Sequence, residues 1–191
     1  LTILQTLVEL YLLIRQKRNI EKYRHEVPAD FSSVISLEDH QKAASYTKAK
    51  IWLAIPRHLV DLGLFIYWFP FRGLDSLQNW ISSMSLSVIS KDILLIVAFM
   101  VIQSLVFMPF KLMSTFWIEE KFGFNRTTLK LLIIDTLKGV LLSAVLGLPL
   151  LAGMFAIYHA LGTYWWIYAW GLMTIFQLFV ISVYPRWIAP L

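Results

Sequence analysis

Apolar residues in this chain come in blocks of about 20, the length that carries an α-helix across the hydrocarbon of a bilayer, and charged stretches separate the blocks. A soluble core would instead spread its apolar positions at helix or strand period through an otherwise polar sequence. With 58% hydrophobic and only 15% charged residues, the chain has too little polar material to cover a water-exposed surface. The expected fold class is therefore all-α: a polytopic transmembrane helical bundle of about five spans with cytoplasmic loops. Residues 1–14, 51–69, 92–110, 131–158 and 164–184 are the expected spans.

The first block starts without an initiator Met, and Arg15, Lys17 and Arg18 follow it, the reverse of a signal peptide's order. It reads as the end of a first span whose upstream part is missing. Residues 15–50 read as an extramembrane loop, partly helical, interrupted at Pro28 and Ser32-Ser33. Residues 70–90, with Gly73, Asp75, Asn79 and several serines, suit an interfacial hairpin. Residues 111–130 read as an amphipathic or looped segment outside the hydrocarbon, and a loop of a few residues joins the last two spans into an antiparallel pair.

A net charge of +5 would suggest nucleic acid in a soluble protein. Here the basic residues flank apolar blocks, so the expected partner is the lipid bilayer and not nucleic acid. Lys and Arg concentrate in 15–50 and 111–130, with Arg186 near the end, which predicts that these loops and the C-terminus are cytoplasmic. Tyr164, Trp165, Trp166, Tyr168 and Trp170 then form a far-side aromatic belt, with Tyr184 and Trp187 at the cytoplasmic interface. On that orientation the sequon Asn125-Arg126-Thr127 stays unmodified. Gly139, Ser143 and Gly147 form a small-residue stripe expected to let another helix approach closely.

Candidate chemistry is sparse. The absence of cysteine excludes disulfides, thiolate metal sites and a cysteine nucleophile. His25-Glu26-Val27-Pro28-Ala29 lacks the second histidine of a zincin helix, and Pro28 would break that helix. Glu38-Asp39-His40 reads as a solvated charged loop, because consecutive helical side chains diverge. His159 reads as an interfacial histidine. Arg57, His58 and Asp61 fall inside a span, where charge is costly unless it is paired or wet. An internal salt bridge with Arg57 snorkelling and the lining of a polar cavity are equally compatible with them. Asp135 and Lys138 form a second i, i+3 pair early in the fourth span. No catalytic residue and no metal-ligand set is expected within the chain.

The run Phe116-Trp117-Ile118-Glu119-Glu120-Lys121-Phe122-Gly123-Phe124-Asn125-Arg126-Thr127-Thr128, followed by Asp135 and Lys138, resembles the EEKxGFNxxT signature of the Ste24-type CaaX prenyl proteases, the M48 membrane zinc metalloproteases. Tyr11 to Arg18 resembles the family's first cytoplasmic loop, and Tyr184 to Leu191 the segment leading into its protease domain. The likeness is weakest over 51–90. It implies a membrane zinc metalloendopeptidase whose helices surround a water-filled chamber. Zinc would sit on an HExxH helix with a later glutamate, and peptides would be cut near a prenylated C-terminal cysteine in eukaryotic members. No HExxH occurs here, so the resemblance implies the N-terminal transmembrane portion, inactive alone, with zinc, the C-terminal metalloprotease domain and the peptide substrate belonging to the parent enzyme. Bacterial inner membrane and endoplasmic reticulum membrane are both compatible.

Within that reading, Glu119, Glu120, Gly123, Phe124, Asn125, Asp135 and Lys138 are candidates for docking substrate or the protease domain, with Asn125 expected to cap the fourth span. Arg57, His58 and Asp61 are candidates for lining the chamber. A non-enzymatic scaffold or transporter-like bundle is the alternative, although no internal repeat supports transport. An intramembrane serine or aspartyl protease would need a nucleophile beside a base, or two facing aspartates, and neither is evident.

Overall fold

Tertiary structure was obtained as a computed structural model, which describes residues 2–183. Tyr184, Trp187 and the rest of the last expected segment lie outside the described residues. The described chain is helical, without a strand. It divides into two compact units, Leu1–Ser76 with Val101–Thr127, and Leu77–Met100 with Thr128–Leu191.

In the first unit, α1 (Thr2–Tyr23) carries the first apolar block and continues through the basic residues after it. Arg, Gln, Lys and Glu are good helix formers, so the change of polarity does not end the helix. Pro28 opens a 3-10 turn, Ala29–Phe31. Ser36 then caps α2 (Leu37–Trp68): its Oγ accepts the Asp39 N–H at 3.1 Å, while Glu38 and Asp39 place negative charge in the first turn. Glu38-Asp39-His40 is thus a helix start and not the loop the sequence suggested. The expected loop end and second span are one continuous helix, with Pro56 inside it.

The α1 and α2 helices pair antiparallel, because their partners run in reverse order. Glu21 Oε1 meets Lys48 Nζ at 2.6 Å, and Glu9 Oε2 meets His58 Nδ1 at 3.1 Å. The hydrogen bond from Lys48 holds the Glu21 carboxyl below its ordinary value. At the far end of α2 the backbone turns through Arg72, at φ 55. There Gly73 lies so close to Tyr67 that a Cβ would stand 2.8 Å from its carbonyl oxygen.

The helix α4 (Val88–Met113) contains the third expected span, and then continues as a π-helical turn, Ser114–Glu119, into α5 (Glu120–Phe122). The helical run Val88–Phe122 is 35 residues long, so most of the stretch expected outside the hydrocarbon up to Phe122 belongs to the same helix. A π turn admits one extra residue per turn and rotates the helix beyond it. The rotation falls on Ile118 and Glu119, both directed at α2.

In the second unit, Lys91 Nζ donates to the Ser82 carbonyl at the end of α3 (Gly73–Ser82), at 2.9 Å. Beyond it α6 (Leu129–Leu161) and α7 (Trp165–Val183) pack as a hairpin through Gly162, at φ 53. The close approach falls at Gly153, where a Cβ would meet Leu172 at 3.1 Å. At Gly139 and Gly147, by contrast, no neighbour lies within 4 Å of a Cβ. The expected close packing on that stripe is therefore not made by the described residues.

Few side chains are buried, among them Ile51, Leu53, Trp68, Ile81 and Ile118, whereas Leu137 and Ile175 are 63% and 69% exposed. Apolar surface on that scale requires an apolar solvent. Two stretches, Val88–Phe122 and Leu129–Val183, are long and apolar enough to cross a membrane on composition alone.

Candidate functional site

Five of the residues singled out in the sequence converge where the end of α4 meets α2. Gly123, at φ 76, takes the left-handed position that ends α5. Its N–H reaches the Glu120 carbonyl at 3.0 Å, while the Phe124 and Asn125 N–H groups share the Glu119 carbonyl at 2.8 and 3.1 Å. This turn swings Phe124 back onto α2, where its ring meets Tyr46 edge-on at 5.0 Å and Lys42 Nζ stands 5.9 Å above it. Phe122 touches the same tyrosine at 5.4 Å.

Glu119 is tied to the same face of α2. Lys50 Nζ donates to Glu119 Oε1 at 2.8 Å and to Ser114 Oγ at 3.1 Å, and lies 5.4 Å from the Tyr46 ring centroid. The Lys50 pKa is raised chiefly by the hydrogen bond to Glu119, against a smaller opposing effect of burial.

Glu120 has a separate partner. Asn125 Nδ2 donates to Glu120 Oε2 at 2.7 Å, and Asn125 Oδ1 accepts the Thr127 N–H at 2.7 Å. Asn125 therefore closes the turn, and the cap of α6 is Thr128, whose Oγ1 accepts the Leu131 N–H at 3.2 Å. The expectation for Asn125 fails by three residues because its amide is already used within the turn. The threonine that ends the signature was the better capping residue.

Arg57, His58 and Asp61 do not form a salt bridge with one another. His58 is held by Glu9 of α1, whose other oxygen accepts from Gln5 Nε2 at 3.0 Å. The Arg57 guanidinium lies 5.6 Å from the Phe107 ring centroid, a cation–π contact, and Asp61 has no ion pair among the described residues. Spacing within one helix could not show that the partner of His58 sits on another. Asp135 and Lys138 are exposed on α6, and the clasp at Glu119 to Asn125 is complete without them.

One pair escaped the sequence reading. His159 Nε2 and Asp92 Oδ2 lie 2.7 Å apart, with the Tyr158 ring against both His159 and Trp165. Asp92 stands at the start of an apolar run and His159 near the end of another, so only the fold joins them. Among the described residues no three His, Asp or Glu side chains gather as a metal-ligand set. The described residues do not supply the ligand set of a zinc ion.

Comparison with known proteins places this arrangement. Residues 16–191 match the family model described as CAAX prenyl protease N-terminal, five membrane helices. Among the described residues five helices, α1, α2, α4, α6 and α7, have 19 residues or more. A CAAX prenyl protease 1 homolog of Oryza sativa is 34% identical over 99% of the chain and 46% of its own length. A probable CAAX prenyl protease 1 of Schizosaccharomyces pombe is 32% identical over 96% of the chain and 41% of its own length. The chain thus spans a little under half the length of these curated relatives. The crystal structure of S. mikatae Ste24p superposes with a TM-score of 0.87 at 24% identity, covering 99% of this chain and 45% of that one. The all-helical fold is that of Ste24p, and the chain belongs to the family of CAAX prenyl protease N-terminal membrane regions.

Proposed function

We propose that this chain is the membrane portion of a zinc metalloendopeptidase of the CaaX prenyl protease type, forming an intramembrane chamber and supporting substrate access. The observation that carries the reading is the set of polar side chains Glu9, Arg57, His58 and Asp61 on α1 and α2, two helices of a membrane-helix family. Ionisable groups at membrane depth are stable when they face protein or water, and Arg57 and Asp61 are exposed in this chain. A water-filled chamber supplies that environment.

In this reading the clasp at Glu119, Glu120, Gly123, Phe124 and Asn125 docks the metalloprotease domain of the parent enzyme, and Asp135 and Lys138 are further docking candidates. Zinc and proteolysis belong to that domain, the substrate is a peptide, prenylated in eukaryotic relatives, and this chain alone is inactive. The expected spans remain 1–14, 51–69, 92–110, 131–158 and 164–184, with 15–50, 111–130 and the C-terminus cytoplasmic in a bacterial inner membrane or the endoplasmic reticulum.

Two experiments test this. Cysteines introduced at Arg57 and Asp61, in a chain that has none of its own, should react with membrane-impermeant thiol reagents. Protection of both, as expected for controls at the exposed apolar positions Leu137 and Ile175, would remove the chamber. Charge reversal of Glu119 and Glu120 in the complete enzyme should abolish proteolysis while zinc content is kept. Undiminished turnover by the folded double variant would remove the docking role.

A further inference from the structure

The expected α2 span begins beside Lys50, and on the α4 run Trp117 lies past Lys111, in the segment expected just outside the hydrocarbon, so the first unit brings interfacial stretches of both helices together. At that level a cleft of about 260 Å³ opens, lined by Ala49, Trp52, Trp117, Ile118 and Lys121. The two indoles pack edge to face at 5.4 Å and remain 57% and 51% exposed. Neither indole is spent on a protein core. Their flat apolar faces and N–H edges suit the boundary between acyl chains and headgroups.

Lys121 supplies the charge at this cleft. The neighbouring carboxylates are engaged elsewhere, Glu119 by Lys50 and Glu120 by Asn125. Lys121 has no ion pair among the described residues. An apolar cleft lined by an ammonium group that forms no ion pair, at the height of lipid headgroups, is complementary to a ligand with an anionic head and a hydrocarbon tail.

We propose that this cleft holds an anionic phospholipid of the surrounding bilayer, its phosphate on Lys121 and the start of an acyl chain against Trp52 and Trp117. The site adjoins the docking clasp but uses none of its five residues, and it does not depend on the chain's part in proteolysis. The π turn contributes by presenting Trp117 toward Trp52.

The test is native mass spectrometry of the full-length protein released from mixed micelles of phosphatidylglycerol and phosphatidylcholine. The wild type should retain phosphatidylglycerol preferentially. Lys121→Gln should lower that preference about fivefold, the effect of one cation near the headgroup plane, whereas Lys130→Gln, an equal change in net charge, should leave it intact. Trp52→Ala should lower retention of both lipids. Equal retention of the two lipids by the wild type, or the same loss in both lysine variants, would overturn the proposal. So would displacement of the lipid by millimolar inorganic phosphate, which would mark a simple anion site. Thermal unfolding of each variant confirms that the fold is kept.

Discussion

Replacing Lys50 by methionine keeps most of the side-chain stem beside Tyr46 and removes the ammonium group that joins α2 to the end of α4. A hydrogen bond to a charged partner contributes about 1.5–3 kcal/mol when sheltered, whereas an exposed ion pair contributes about 0–1 kcal/mol. The Lys50 and Glu119 side chains retain 36% and 30% of their full exposure, which places the pair between these limits. Allowing for screening, Lys50→Met should destabilise the protein by about 1.5 kcal/mol, and a cycle with Glu119→Gln should give a coupling of about 1 kcal/mol. The assay is equilibrium unfolding in mixed detergent micelles.

The pH dependence carries a definite sign. Because the folded-state pKa of Lys50 is raised above its ordinary 10.5, the pair's contribution is fully present below that value and is lost as pH rises through the folded value. The stability gap between wild type and Lys50→Met should therefore be flat around neutral pH and narrow on the alkaline side as Lys50 loses its proton. A coupling below about 0.3 kcal/mol, the scatter of independent sites, would refute the assignment. A gap that persists after Lys50 deprotonates would mean that packing, not charge, joins the helices.

Three further substitutions test local geometry. Gly123→Ala forces a Cβ into the left-handed region and should cost about 1–2 kcal/mol in the same unfolding assay; an unchanged midpoint would refute the turn. Gly73→Ala places a methyl 2.8 Å from the Tyr67 carbonyl oxygen and should cost about 1–3 kcal/mol by overpacking. Thr128→Val removes the hydroxyl cap of α6 and should cost about 1 kcal/mol, with early amide exchange at Leu131, whereas a cap at Asn125 would leave that amide protected.

The fold was legible in the sequence wherever one physical rule dominated. Blocks of apolar residues of bilayer length identified the helices, because hydrocarbon leaves the backbone no other way to satisfy its hydrogen bonds. Helix ends were less legible, because polarity marks where a membrane ends and not where a helix ends. The α1 helix runs past Ile14 to Tyr23, and the α4 run past Phe110 to Phe122. The Gly139, Ser143 and Gly147 stripe has no helix packed on it among the described residues. Small residues permit a close approach, but Gly153 is the position where α7 makes one. The turn at Gly123 was readable because glycine acts on its own backbone, whereas the helix start was read at Asn125, three residues before the Thr128 that caps it.

The two carboxylates of the signature could not be assigned partners in the same way. Glu120 is satisfied five residues on by Asn125, whereas the partner of Glu119 lies 69 residues back, at Lys50. Adjacent residues of identical charge thus divide the work: one closes the turn, the other binds a second helix. That division explains why the lysine after them differs from both. With Glu119 paired to Lys50 and Glu120 held by the Asn125 amide, Lys121 makes no ion pair within its own motif, and it lines the cleft with Trp52 and Trp117. The same logic separates the consequences of mutation. Loss of Glu120 should loosen the turn alone, and loss of Glu119 should free α2. Loss of Lys121 should leave both intact and be felt only by what binds from the bilayer.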